Sequence, residues 1–77
     1  MGSASDMPVV WKAVKVLERF EVNFAVTVAS AHRTPELVEE TVKNSSADVF
    51  ISVAGLSAAL PGVVASLTPK PAIGVPV

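Results

Sequence analysis

Asn23-Phe24-Ala25-Val26-Thr27-Val28-Ala29-Ser30-Ala31-His32-Arg33-Thr34-Pro35 passes from a β-branched apolar run, through a polar loop, to a proline followed by the acids of Glu36-Leu37-Val38-Glu39-Glu40. The run predicts a buried strand over 23–29, and the proline with the acids predicts the first turn of a helix over 35–44. The loop between them therefore lies at the carboxyl end of a strand, which is where open α/β sheets bind ligands. It holds the only histidine of the chain beside an arginine. An imidazole exchanges protons near neutral pH, and a guanidinium holds phosphate or carboxylate through paired N–H donors. Alone, a histidine next to an arginine in a loop is commonly just solvated, so the pair needs support from the rest of the chain.

Working outward, strand and helix signals keep alternating. Towards the N-terminus, Val9, Ala13, Val16 and Phe20 recur at spacings of three and four, predicting an amphipathic helix over 7–20 opened by Asp6 and Pro8. Trp11 on that helix reads as packing or partly exposed surface. Towards the C-terminus, Val49-Phe50-Ile51-Ser52-Val53-Ala54 is a second apolar strand, residues 55–62 a turn, 63–67 a short helix, and Ala72-Ile73-Gly74-Val75-Pro76-Val77 a last strand. This order predicts a three-layer α/β/α, flavodoxin-like parallel sheet, with right-handed crossovers and helices on both faces. Residues 1–77 read as a single partial domain, beginning at a turn that implies a strand before it and stopping at a strand with no closing helix.

Composition narrows the chemistry. Of 77 residues, 51% are apolar and 17% charged, with a formal net charge of −1, which fits a small globular unit and provides no basic stripe for nucleic acid or polybasic patch for a membrane. The absence of cysteine excludes disulfides and thiolate chemistry, and one histidine argues against a histidine-rich metal site, so no metal is expected. The apolar stretch 49–64 is interrupted by Ser52, Ser57, Pro61 and two glycines, too broken to span a bilayer, and the N-terminus lacks a signal-peptide pattern. A cytoplasmic protein with a small-molecule partner is the expectation.

In a parallel sheet every strand-to-helix turn falls on one edge, so three turns should converge on one cleft. The first supplies Ser3 and Ser5 hydroxyls and the free N–H groups of a helix start, suited to phosphate, and Asp6, suited to a ribose diol or to capping its own helix. The second supplies Ser30, His32 and Arg33. The third, at 54–62, is rich in Gly and Ala, so that backbone can approach a flat ring and donate N–H groups to a developing negative charge. Together they describe a phosphorylated, ribose-bearing substrate undergoing proton transfer. Neither a dinucleotide fingerprint nor a phosphate loop occurs.

Met1-Gly2-Ser3-x-Ser5-Asp6, Ser30-Ala31-His32-Arg33-Thr34-Pro35, Leu60-Pro61-Gly62, Leu67-Thr68-Pro69 and Gly74-Val75-Pro76-Val77 together resemble the PurE family of de novo purine biosynthesis, in register over essentially the whole chain. The resemblance implies a protein about twice this long. It also implies the relocation of carbon dioxide on aminoimidazole ribonucleotide from the N5-carbamate to ring carbon C4, without cofactor, in a homo-octamer. By similarity His32 is the general acid/base; Ser3, Ser30 and Arg33 meet the phosphate, with Ser5 beside them; Asp6 meets the ribose hydroxyls; and Ala54 and Gly55 backbone, with Leu60, meet the base and carboxylate. The third turn departs from the mutase pattern Gly-Ala-Gly-Gly-Ala-Ala-His-Leu-Pro-Gly. Ala59 stands where that pattern has a second histidine, and Val53-Ala54-Gly55-Leu56-Ser57 looks more like the branch that carboxylates aminoimidazole ribonucleotide directly with carbon dioxide. Arg33-Thr34-Pro35 and Leu60-Pro61-Gly62 look like the mutase branch. A non-catalytic flavodoxin-like or receiver-like nucleotide-binding module shares the fold, but a receiver needs an acidic cluster at a strand end, and only Asp6 is present.

Overall fold

The computed structural model describes residues 1–55 and 59–77. After a single 3-10 turn at Ala4–Asp6 come α1 (Met7–Arg19), α2 (Pro35–Asn44), β1 (Phe50–Ala54), α3 (Ala59–Leu67) and β2 (Ala72–Pro76). Each helix buries one pair of residues four apart, Val10 with Val14, Val38 with Val42 and Leu60 with Val64. That spacing stacks two side chains on one helical face, and each buried branched side chain contributes roughly 1.5–3 kcal/mol relative to exposure.

Strands β1 and β2 pair in parallel, Phe50 opposite Ala72 through Ala54 opposite Pro76. Successive strand residues point to opposite faces, and β1 shows the consequence. Val53 packs with Val10 and Val14 of α1, while Ala54 packs with Val38, Val42, Leu60 and Val64 of α2 and α3. Helices thus cover both faces, as a doubly wound arrangement requires. At Gly74 the chain exploits a missing side chain: a Cβ there would stand 3.1 Å from Pro61 Cβ. The bare backbone of β2 is what lets the first turn of α3 lie against it.

Two expectations are corrected. Residues 23–29 form no strand among the described residues, and 23–28 are exposed, not buried. Among the described residues their backbone is paired only near its end, where the Met1 ammonium donates to the Thr27 carbonyl at 2.9 Å and Ala29 N–H donates to the Met1 carbonyl at 2.8 Å. Gly2 N–H in turn donates to Val53 O at 3.1 Å, so Met1 and Gly2 lie between residues 27–29 and β1. An apolar cavity of about 310 Å³ beside this segment is lined by Val14, Leu17, Val26, Val42, Ile51 and Val53 among others. A ladder needs a partner along its whole length, and among the described residues this segment has one only beside Met1. The other correction concerns the third turn: α3 begins at Ala59, so Leu60, Pro61 and Gly62 are helical. Pro61 is accommodated because the N–H groups of a first helical turn have no intrahelical acceptor. The expected turn residues Leu56, Ser57 and Ala58 lie outside the described residues.

Helix α1 ends in a Schellman arrangement, with Glu21 N–H donating to Glu18 O at 3.0 Å and Val22 N–H to Leu17 O at 2.9 Å. The residue that must turn left-handed there is Glu21, at φ 57°. A side chain pays for that conformation and glycine does not. Glu21→Gly is therefore expected to raise stability by about 0.5–1 kcal/mol, the strain relieved being partly offset by greater freedom of the unfolded chain. Denaturant unfolding of the two proteins checks it, and a lower midpoint for the glycine variant would contradict the reading.

Candidate functional site

At the carboxyl edge of the strands a cleft of about 260 Å³ is lined by Gly2, Ser3, Ser5 and Asp6 from the first turn, Ser30, Ala31 and His32 from the second, and Ala54, Gly55, Ala59 and Leu60 from the third. The convergence expected from a parallel sheet is present. Arg33 is the one expected site residue that does not line it. Its guanidinium Nη2 instead reaches across to donate to the Gly2 carbonyl at 3.4 Å, so Arg33 stands at the rim and bridges the second turn to the first.

The first turn is ordered by its own serines. Ser3 Oγ accepts from Ser5 N–H at 3.2 Å and lies 2.9 Å from Ser5 Oγ, while Asp6 N–H donates to Ser3 O at 3.0 Å. Asp6 precedes α1 but makes no side-chain cap. The capping role weighed for it is thus not realised, and its carboxylate is left for the cleft that it lines. The partly buried Met1 ammonium, bonded on the same segment, has its pKa lowered by burial, with the Asp6 charge opposing the shift.

Ser30 organises the second turn. Its Oγ accepts two backbone N–H groups, from His32 at 3.2 Å and Arg33 at 3.1 Å. A hydroxyl so engaged as acceptor keeps its own hydrogen to donate, which suits it to an anionic oxygen. His32 is exposed at the cleft wall with its backbone anchored and its imidazole reachable from the cleft. Ala54, a buried residue at the end of β1, and Leu60, buried at the start of α3, form an apolar floor, with Gly55 lining the cleft beside them. Among the described residues no group of three or more His, Asp or Glu side chains is arranged to hold a metal. The arrangement can therefore bind an anion by hydroxyl, amide and guanidinium donors, accept a diol at a carboxylate, and move a proton at an imidazole against an apolar floor.

Sequence reasoning passed over Gly2, Ala31 and Ala59 as lining residues. The signal was available: small side chains on turns that share a sheet edge are what leave room for a ligand. No helix among the described residues is long and apolar enough to cross a membrane.

Comparison with known proteins agrees with this geometry. The AIR carboxylase family pattern matches residues 1–77. The chain is 70% identical over 77 residues to the N5-carboxyaminoimidazole ribonucleotide mutase of Methanocaldococcus jannaschii, covering all of this chain and 49% of that protein. It is 52% identical over 80 residues to the mutase of Pyrococcus abyssi, covering all of this chain and 46% of that protein. To the phosphoribosylaminoimidazole carboxylase of Candida glabrata it is 51% identical over 80 residues, all of this chain and 14% of that protein. The chain spans about half the length of the two archaeal relatives named here. With a match along its whole length and the three expected turns gathered on one cleft, the chain belongs to the AIR carboxylase family.

Proposed function

We propose that the protein carrying this chain converts N5-carboxyaminoimidazole ribonucleotide to 4-carboxy-5-aminoimidazole ribonucleotide in de novo purine biosynthesis. The observation that carries the reading is the 70% identity, over every residue of this chain, to a protein named for that mutase activity. The cleft supports it with groups of the right chemistry. Ser3, Ser5, Ser30 and Arg33 hold the phosphate by hydroxyl and guanidinium donors, and Asp6 accepts from the ribose hydroxyls. The backbone of Ala54 and Gly55, with Leu60, receives the base and carboxylate. In the reaction protonated His32 gives its proton to N5 as the N5–carboxylate bond breaks and carbon dioxide is released within the site; ring carbon C4 then attacks the carbon dioxide, and His32 takes the C4 proton back, restoring the ring's aromaticity and its own charge. Retention of the carbon dioxide favours a site shut off from water, and the homo-octamer implied by the family resemblance and a cytoplasmic location belong to the same reading.

A second reading, direct carboxylation of aminoimidazole ribonucleotide, is favoured by Ala59 in place of a second histidine and by the Candida relative's name. One assay separates the two. The natural gene product is supplied with the N5-carboxylated substrate at low carbon dioxide, or with aminoimidazole ribonucleotide and added bicarbonate, and formation of the 4-carboxy product is followed. Turnover of the carbamate at low carbon dioxide is expected. Turnover only from aminoimidazole ribonucleotide with carbon dioxide makes the protein a carboxylase, and turnover from neither leaves a binding module.

A further inference from the structure

Thr34 occupies the N-cap position of α2, where a threonine hydroxyl ordinarily accepts from an N–H of the first helical turn. Here it makes no such bond. Its Oγ1 turns back across the loop instead, accepting from Ser30 N–H at 2.9 Å and donating to Ser30 O at 3.3 Å. The Thr34 N–H donates to the same carbonyl at 2.9 Å. Three bonds therefore close Ser30 onto Thr34, and all of them join the two ends of the segment that presents Ala31, His32 and Arg33. The Ser30 hydroxyl, held from below in this way, is the group that anchors the His32 and Arg33 amides at 3.2 and 3.1 Å. The order of dependence is plain: Thr34 fixes Ser30, and Ser30 fixes the histidine and the arginine.

We propose that Thr34 is a positioning residue of the site, its hydroxyl clasping the 30–34 loop so that His32 faces the cleft and Arg33 reaches the rim. The inference deepens the acid/base reading given above and rests on it for its effect on turnover. The clasp itself does not depend on that reading. Thr34 is exposed, so the hydroxyl is not retained for burial, and its diversion from the cap leaves the end of α2 less well closed than a threonine could make it. A group that forgoes a local bond to make two across a loop is placed for the loop.

The natural gene product is compared with Thr34→Val, which keeps the branched shape and removes the hydroxyl, and with Thr34→Ser, which keeps the hydroxyl. Amide hydrogen exchange and turnover are read on the same preparations, with thermal melting as control. In the unsubstituted protein the amides of Ser30, His32 and Arg33 should be protected although their loop is on the surface; free exchange at all three overturns the clasp without any variant being needed. In Thr34→Val these amides should exchange faster, kcat should fall about 10- to 100-fold as expected for a catalytic group displaced by an ångström or so, and KM should rise because Ser30 and Arg33 shift with His32. Thr34→Ser should restore both to within about threefold, since the hydroxyl keeps the clasp and small residual misplacements cost little by comparison. A purely structural threonine would instead lower the melting temperature in both variants alike and leave kcat and KM of the folded enzyme unchanged, which would overturn the proposal. If the unsubstituted protein turns over neither substrate, the acid/base reading falls, while the exchange rates still decide whether Thr34 holds the loop.

Discussion

His32→Asn is expected to lower kcat by about 10²- to 10⁴-fold, the range that a positioned proton-transfer group contributes, while substrate affinity is largely kept. The side chain lies on the surface at the cleft wall, so the exchange removes little packing, and the backbone N–H that anchors the residue to Ser30 Oγ is untouched. Asparagine retains polar atoms near the position of an imidazole nitrogen but takes up and releases no proton in the working pH range. The loss should therefore appear in the chemical step. The anion contacts expected from Ser3, Ser30 and Arg33 are all made without the imidazole. Steady-state kinetics alongside direct titration of the substrate separates the two quantities. A variant turning over at near-normal rate sinks the acid/base assignment, and one that loses binding and turnover together assigns His32 to holding the substrate instead.

Most elements and their order were legible in the sequence, and what was not depended on which residues meet across elements. The helix over 35–44 matches its sequence reading because Pro35 and Glu36 mark its start and Lys43 its last turn. The parallel pairing of β1 with β2 was readable from two apolar runs separated by a helix-forming segment. Residues 23–29 have the composition of a strand, yet composition cannot say whether a partner lies alongside, and among the described residues only Met1 does. The start of α3 was misplaced by the habit of treating Pro61 and Gly62 as breakers, although a proline in a first turn is unopposed. The pairing of Pro61 with Gly74 was equally out of reach, being a contact between two turn-like residues on different elements.

The site divides along the same line. That three turns share an edge was the expectation from parallel strands, and Ser3, Ser5, Asp6, Ser30, His32, Ala54, Gly55 and Leu60 do line one cleft, although residues 23–29 before the second turn form no strand among the described residues. Which hydroxyl bonds to which backbone group was not readable. Asp6 looks like a cap and is none, Thr34 sits at a cap and bonds elsewhere, and Arg33 extends along the rim. Each of these is a choice among acceptors a few ångströms apart, set by turn geometry and not by residue type.

Arg33→Ala tests the rim directly, and its expected cost to substrate binding is about 1.5–3 kcal/mol, the range for a hydrogen bond to a charged group, or roughly 10- to 150-fold in affinity at 1.4 kcal/mol per decade. Arg33 is exposed, and its one side-chain hydrogen bond among the described residues is a long one to the Gly2 carbonyl. Losing that contact costs the fold little, because the carbonyl remains open to water. A phosphate arriving beside Ser3 and Ser30 would meet a charge already leaning over the first turn, and a bidentate fork gives up a weak neutral acceptor for a strong anionic one. The effect should therefore fall on affinity for the phosphorylated substrate and be much smaller for the dephosphorylated nucleoside. Arg33→Lys should recover only part of it, since an ammonium supplies the charge without the planar fork. Titration of both ligands into the three proteins distinguishes the cases: equal losses for nucleotide and nucleoside would move Arg33 away from the phosphate, and unchanged affinity for both would leave it as a strut between two turns.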